Sequence, residues 1–203
     1  MKKILVIVIS LLLFFAFLGI YFNIETIGNY LTLFEYENSY KKSKDDVDLI
    51  NLCAYLTENT SAHYLDEKRT KYLKELIDVI SIESIERSEM SKLYNEMSVD
   101  VSPKEYAITL YIVHLLSSQE YELFVEEFSM YYLQVDYEAS VVLEQSIQIL
   151  YNRTNDPLII KYAKKSYEKI MNDTDDEIIK KKCEVQIDVL DNQGTVSVKV
   201  HHI

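Results

Sequence analysis

The sequence predicts an all-α protein in which an N-terminal transmembrane helix precedes an array of antiparallel helical hairpins, either α-solenoid-like or an irregular bundle. Three observations predict this fold class. The chain of 203 residues contains only three glycines and two prolines, so residues that break helices are scarce. Its first residues are almost uncharged. The remainder carries apolar residues at helical spacing behind recurring helix-start signals.

The predicted transmembrane helix lies within residues 1–24. Lys2 and Lys3 are followed by an uncharged run of 19 residues, 4–22. As a helix this run would be about 28 Å long, close to the ~30 Å thickness of a bilayer core. Because the lysines precede the run and Glu25 follows it, we expect a cytoplasmic N-terminus and a bulk that lies outside the membrane.

A secreted protein with a cleaved signal peptide is the alternative. Cleavable signals usually have an apolar core of about 7–15 residues that ends at a small-x-small site. Here the apolar run is longer, and the best available site is the poor match Thr26-Ile27-Gly28. The sequence therefore favours an uncleaved signal anchor in a cell membrane.

Behind the anchor we expect a juxtamembrane segment (25–45), a helical repeat-like domain (46–192) and a tail (193–203). The chain after the anchor is long enough to bury a proper core. Gly194 is predicted to end the last helix, and the residues after it alternate as in a strand, with a frayed terminus as the expected state. The predicted helices are 27–42, 46–57, 62–80, 84–97, 103–116, 119–132, 137–152, 157–171 and 175–191.

Helix-start signals support these boundaries. Ser102-Pro103-Lys104-Glu105 is a capping box with proline at the first helical position, and Thr174 with Glu177 forms a second box. Asp136 and Asp156 are predicted caps, and Ser117 with Glu120 suggests another start. Starts recur at intervals of 34–39 residues, which is typical of stacked helical hairpins.

The segment Asn155-Asp156-Pro157-Leu158-Ile159-Ile160-Lys161-Tyr162-Ala163 resembles a junction between tetratricopeptide-type repeats, with proline leading into a first helix. The resemblance covers roughly residues 100–191. It departs from the family pattern because tryptophan is absent and no glycine stands at a tight crossing of two helices. The resemblance implies a fold of helical hairpins and carries no function.

Charge excludes some partners. The formal net charge is −12, so nucleic acid and anionic lipid surfaces would be repelled. No lysine or arginine occurs between Lys104 and Arg153, a segment that contains eight acidic residues. This acidic segment is interpreted either as a solvated face or as a surface that selects a basic partner.

No enzymatic chemistry is predicted. Glycine-rich phosphate loops, a nucleophile elbow and metal-binding spacings are absent, so no catalytic residue, cofactor or metal is expected. His114 falls in the most apolar helix and is predicted to be a core residue that bonds a carbonyl or a tyrosine. His201 and His202 would make a poor metal site. Cys53 and Cys183 are expected to be buried free thiols.

Tyrosine is the one residue type in excess. Of 17 tyrosines, nine lie between residues 106 and 167. Tyrosine is favoured at interfaces, although AT-rich bacterial coding would also place it where other proteins have Phe or Trp in the core. Residues of the acidic segment are therefore the candidate partner-binding set. They are Tyr121, Glu122, Glu126, Glu127, Tyr131, Tyr132 and Tyr137.

The sequence thus predicts a membrane-anchored extracytoplasmic scaffold or adaptor that binds a protein or peptide, including a basic one. A carrier of a small apolar ligand is the alternative, because helix 103–116 and its neighbours could line a cavity. An enzyme of unknown type is not favoured.

Overall fold

The computed structural model describes residues 24–59, 62–80 and 102–200, and these are all-α, as predicted. The predicted anchor and the predicted helix 84–97 lie outside the described residues, as does the end of the tail, 201–203. None of the helices in the described ranges is long and apolar enough to cross a membrane. The elements are α1 (Ile24–Ser43), α2 (Asp46–Glu58), a 3₁₀ turn (His63–Leu65), α3 (Asp66–Val79), α4 (Pro103–Ser117), α5 (Tyr121–Tyr132), α6 (Tyr137–Thr154), α7 (Pro157–Asp173) and α8 (Glu177–Val200).

Three of the predicted helix starts are confirmed by their hydrogen bonds. Ser102 Oγ accepts a hydrogen bond from the Glu105 amide, and the Glu105 carboxylate accepts one from the Ser102 amide at 3.0 Å. The Asp136 carboxylate accepts from Ala139 N at 2.9 Å, and Asp156 accepts from Leu158 N at 2.9 Å. Each side chain satisfies an amide that would otherwise lack a partner at a helix start.

Three local predictions are wrong. Helix α8 begins at Glu177, and its first-turn amide at Ile178 donates to Asp176 at 2.8 Å, so the cap lies two residues after Thr174. Helix α5 begins at Tyr121 without a side-chain cap, because Gln119 has a left-handed φ of 64°. Gly194 does not end α8, which continues to Val200, so residues 195–200 are helical rather than strand-like. A glycine inside a helix costs stability without forbidding the helix.

Each helix packs against the next in chain order, except that α5 and α6 share no extensive contact within the described residues. Loops of two to four residues join α1 to α2 and link each helix from α4 to α8 to the next, which makes consecutive helices antiparallel. Helix α4 also packs on α3 and α6, and α5 packs on α7. Within the described part of the chain, the first three helices share no extensive contact with the last three. The helices therefore form an extended stack.

The core is rich in aromatic residues. Helix α4 is the most buried, as predicted, with ten of its fifteen residues inside. Between α5 and α7, Phe128 lies 5.3 Å from Tyr132 and 5.3 Å from the Tyr167 ring, the latter edge-on. Edge-to-face and offset rings add to the stabilisation from buried area. Most of the tyrosines between 106 and 167 therefore serve the core, namely Tyr106, Tyr111, Tyr131, Tyr132, Tyr151 and Tyr167.

The helix predicted at 27–42 within the juxtamembrane segment (25–45) is confirmed as α1, which packs against α2. Leu33 and Tyr40 are buried. Buried Glu37 accepts hydrogen bonds from Lys68 and from the Tyr72 hydroxyl, the latter at 2.9 Å. These contacts lower the pKa of Glu37 against the opposing effect of burial. Helix α1 is thus an integral end of the stack.

A buried group of hydrogen-bonded polar side chains connects α3 to α4. His114 is 6% exposed, and its Nε2 lies 3.0 Å from Thr70 Oγ1 and 3.3 Å from the Asp66 carbonyl oxygen. Because the Thr70 hydroxyl donates its proton to Glu120 at 2.9 Å, both neighbours of Nε2 act as acceptors, and Nε2 carries the hydrogen. The predicted bond to a carbonyl is confirmed. Burial lowers the pKa of His114 to about 4, with the nearby Arg69 guanidinium as the second cause.

The two thiols are free and buried, as predicted. Cys53 lies in α2, where its thiol donates to the Tyr72 carbonyl oxygen at 3.4 Å. Cys183 lies in α8, at the other end of the stack. Burial raises the pKa of both, that of Cys183 to about 11, so both are unreactive thiols in the folded protein.

Candidate partner-binding site

The seven candidate residues do not form one surface. Tyr131, Tyr132 and Glu127 are buried against neighbouring helices, whereas Glu122, Glu126 and Tyr137 are exposed. Tyr121 is half-buried. Its ring stacks on Tyr162 at a centroid distance of 4.6 Å, and its hydroxyl donates to Asp156 at 2.8 Å. The ring face and the hydroxyl of Tyr121 are therefore already used within the chain.

Glu127 is the clearest correction. The sequence places it on the polar side of α5, but its side chain is buried and contacts Lys74 of α3. Helix α5 packs on both α4 and α7, so its buried arc is wider than a single apolar stripe. The second Glu127 oxygen and the buried Tyr111 hydroxyl have no hydrogen-bond partner among the residues that the structure describes. Burial and the Glu127 charge raise the pKa of Tyr111.

Lysines from later helices contact the acidic segment. Lys165 of α7 lies 2.6 Å from Glu122, and Lys169 lies 3.4 Å from Glu126. Lys182 of α8 lies 3.4 Å from the buried carboxylate of Glu144. The acidic segment is therefore partly neutralised inside the protein. A basic partner would compete with these lysines for the same oxygens.

The densest polar cluster surrounds Glu144. Its two oxygens accept hydrogen bonds from the Tyr132 hydroxyl at 2.6 Å and from Gln186 at 2.8 Å. Lys182 contacts the same carboxylate and donates to Ser140 Oγ, while its ammonium lies 4.6 Å from the centre of the Tyr137 ring. The Lys182 ammonium thus contacts a carboxylate, a hydroxyl and an aromatic face.

The contacts of this cluster favour a role in holding the helices together over a role in catalysis. Ser140 is itself buried, and its hydroxyl donates to the Tyr137 carbonyl at 2.7 Å. The described residues contain no group of three His, Cys, Asp or Glu side chains suited to a metal ion. The cluster joins α5, α6 and α8.

An open apolar groove lies between α4 and α6. Its volume is about 210 Å³. Leu110 and Val113 form one wall, and Ile149 and Leu150 form the other. The carrier alternative expected helix 103–116 and its neighbours to line a cavity, but none of the lining residues was predicted as a site, although the walls recur at helical spacing and Ile149 is half-exposed. The full lining is Tyr106, Thr109, Leu110, Val113, Ser146, Ile149, Leu150 and Arg153.

Arg153 gives the groove its only formal charge. The side chain is exposed in the last turn of α6. It makes no ion pair or hydrogen bond with any residue in the described ranges. An unpaired guanidinium offers a fork of donors that suits a carboxylate. The groove thus combines apolar walls with one cationic end.

No protein-family model, curated protein or solved structure matches this chain. Neither a fold family nor a function is therefore inherited from a known relative.

Proposed function

We propose that this chain is a membrane-anchored adaptor whose helical domain lies outside the membrane and binds a segment of another protein in the α4–α6 groove. Residues 4–22 are the proposed anchor, because they are uncharged, bilayer-long and preceded by two lysines. The observation that carries the binding role is the open apolar groove that ends at Arg153, whose guanidinium has no ion-pair partner among the described residues.

The chemistry of the groove selects its occupant. Apolar walls favour one large apolar side chain, and Arg153 favours a carboxylate beside it. The best fit is a peptide segment with an apolar residue next to an acidic one, or an apolar C-terminal residue with its free carboxylate. This differs from the basic partner that the acidic segment suggests, because lysines of α7 and α8 already contact those acids.

Volume argues against the carrier alternative. Sites for small molecules usually measure about 300–1,000 Å³ and enclose most of their ligand. The groove holds about 210 Å³ and is open to solvent. It has room for a side chain rather than for a whole lipid or cofactor. A carrier would retain an apolar ligand in native mass spectrometry, and we expect none from the purified chain.

Tryptophan fluorescence provides a direct binding test, because the chain contains no tryptophan. The probe is a pool of pentapeptides, randomised at four positions, with a C-terminal Trp and a free carboxylate. Binding to the full chain in detergent micelles is followed by fluorescence anisotropy. An otherwise identical pool with an amidated C-terminus measures the contribution of the carboxylate.

Three substitutions locate the binding. Ile149→Glu places a charge in the groove and should abolish binding, whereas Ile178→Glu changes an 81%-exposed isoleucine of α8 and should not. Arg153→Gln should weaken the binding of the free-carboxylate pool about tenfold, a typical contribution of a charge-assisted hydrogen bond. The binding of the amidated pool should not change. Equal binding by the wild type and Ile149→Glu would refute the proposed site.

The anchor is tested separately. The intact mass of the chain purified from the membrane fraction should match a polypeptide that begins at Met1. A mass that matches a polypeptide starting near residue 29 would show that the signal is cleaved. The protein would then be secreted and not anchored.

A further inference from the structure

One face of α1 is apolar and exposed along two turns. Ile27, Tyr30, Leu31 and Phe34, here termed the α1 stripe, are 43%, 52%, 61% and 62% exposed. They recur at intervals of three and four residues, so they share one side of the helix. Tyr64 of the 3₁₀ turn extends the stripe, with its ring 4.9 Å from Tyr30.

The α1 stripe is not the side that packs on the domain. Leu33, Glu37 and Tyr40 make those contacts on another side of the helix. An end helix of a stack ordinarily has a polar outer face, because no further helix covers it. At the other end, α8 follows this rule over residues 177–192, the part of this helix whose side chains the structure describes. Its exposed Ile178 and Val185 stand singly among Lys181 and Glu184.

We propose that the α1 stripe is covered by the same stripe of a second copy, so that the protein is a parallel homodimer. The proposal rests on the anchor in the proposed function, because two anchored copies lie side by side with the same orientation. Confinement to one membrane raises their effective concentration, which allows a modest interface to associate.

The size of the stripe fits a dimer. Aromatic side chains bury about 150–250 Å² each, so three half-exposed rings with Ile27 and Leu31 expose on the order of 500 Å². This lies at the upper end of the largest apolar patches on typical monomers. Two copies would bury about 1,000 Å², near the lower limit for a specific interface.

The sequence around the stripe also favours two parallel helices. Ile27, Leu31 and Phe34 continue an alternation of four and three residues that starts at Ile20 and Ile24. This is the spacing of a coiled-coil seam. The next seam position is Asn38. A single asparagine at such a position favours a two-stranded parallel pair.

A lipid surface fits the stripe less well. Helices that lie on membranes carry lysine and arginine on their polar face. The exposed neighbours of the stripe are Gly28 and Glu35, and no basic residue occurs in α1 before Lys41. Lipid contact is therefore the competing outcome of the test.

Cysteine substitutions at the adjacent positions 27 and 28 test the dimer, because the two positions lie in the same turn of α1 but face different directions. Ile27→Cys points along the stripe, and Gly28→Cys points about 100° away. No atom lies within 4 Å of a Cβ added at Gly28, so the control fits without clash. Cys53 and Cys183 are buried and supply no background reaction. Full chains in native membranes are oxidised and separated on non-reducing gels.

We expect Ile27→Cys to form disulfide-linked dimers at least ten times faster than Gly28→Cys, because bridged Cα atoms must come within about 7 Å. Adding Phe34→Glu to Ile27→Cys should lower that rate about tenfold, whereas adding Ser39→Glu should not. Equal rates for Ile27→Cys and Gly28→Cys would indicate random collision and overturn the proposal. If the protein stays monomeric and Ile27→Cys reacts with a charged maleimide much more slowly than Gly28→Cys, the stripe contacts lipid, and the dimer proposal is overturned.

The two proposals fail separately. Sedimentation with membranes and peptide binding by Ile149→Glu test the adaptor, whereas the cysteine pair tests the dimer. Loss of cross-linking with intact membrane sedimentation and peptide binding would remove the dimer alone.

Discussion

Lowering the pH from 7 to 5 should destabilise the domain through His114. In the folded protein this imidazole is buried between α3 and α4, and its Nε2 hydrogen faces the acceptors of Asp66 and Thr70. Protonation would place a second charge near the Arg69 guanidinium in a site with little water. The folded state therefore holds the pKa of His114 at about 4, against an ordinary value of 6.5.

The sign and size of this stability change follow from the linkage between proton binding and folding. Between pH 6.5 and 4 the unfolded chain binds the proton and the folded chain resists it, so stability is complete above pH 6.5 and falls as the pH drops. At pH 5 the loss is about 2 kcal/mol, which would lower Tm by roughly 4–8 °C for a domain of this size. Glu37, whose pKa is lowered below 4.5, contributes a further loss of stability only at more acidic pH, as the pH falls through its folded pKa.

Urea unfolding of the full chain in micelles, followed by far-UV circular dichroism at pH 7, 6 and 5, measures this loss. His114→Gln keeps an amide donor for the Asp66 carbonyl and removes the titrating ring. We expect the variant to be less stable at pH 7 and to lose about 2 kcal/mol less than the wild type between pH 7 and 5. His63→Gln changes an exposed imidazole and is the matched control. An unchanged pH dependence in His114→Gln would refute the assignment.

Three further substitutions test features of the core and of α8. Tyr111→Phe removes a buried hydroxyl that has no partner among the described residues and should leave stability unchanged or raise it by about 1 kcal/mol, as measured by urea unfolding. Tyr132→Phe removes the donor to Glu144 and should cost about 1.5–3 kcal/mol in the same assay; a loss no larger than that of Tyr111→Phe would contradict the network. Gly194→Ala should increase helical circular dichroism and raise stability by up to about 1 kcal/mol, because α8 continues through this position; a decrease would indicate a left-handed helix end.

Local signals in the sequence were sufficient to place most helices. The caps at Ser102, Asp136 and Asp156 act on amides two or three residues away, so their effect can be inferred without knowing the fold. Gly194 failed as a stop signal because a glycine inside a helix costs only about 1 kcal/mol, which does not forbid the helix from continuing. Cap assignment also failed where two candidates stood close together, as with Thr174 and Asp176.

The candidate site was less accessible to prediction, because it depends on helices distant in sequence. The periodicity of α5 identifies one buried side but not the second, which is why Glu127 was expected at the surface. Nothing in residues 105–152 indicates that Lys74 and Lys165 will approach them. The α4–α6 groove likewise arises from two helices that are twenty residues apart in the chain.

The lysines that contact Glu122, Glu126 and Glu144 lie after the acidic segment in the chain, which has a consequence for how the protein is made. While residues 102–154 emerge, Glu122, Glu126 and Glu144 have no nearby cation on their C-terminal side, and the aromatic face of α5 that α7 will cover is bare. Nascent chains paused near residue 154 should therefore be the form that recruits chaperones and proteases. Shortened versions that stop there should be poorly soluble, whereas completion of α7 and α8 should end that vulnerability.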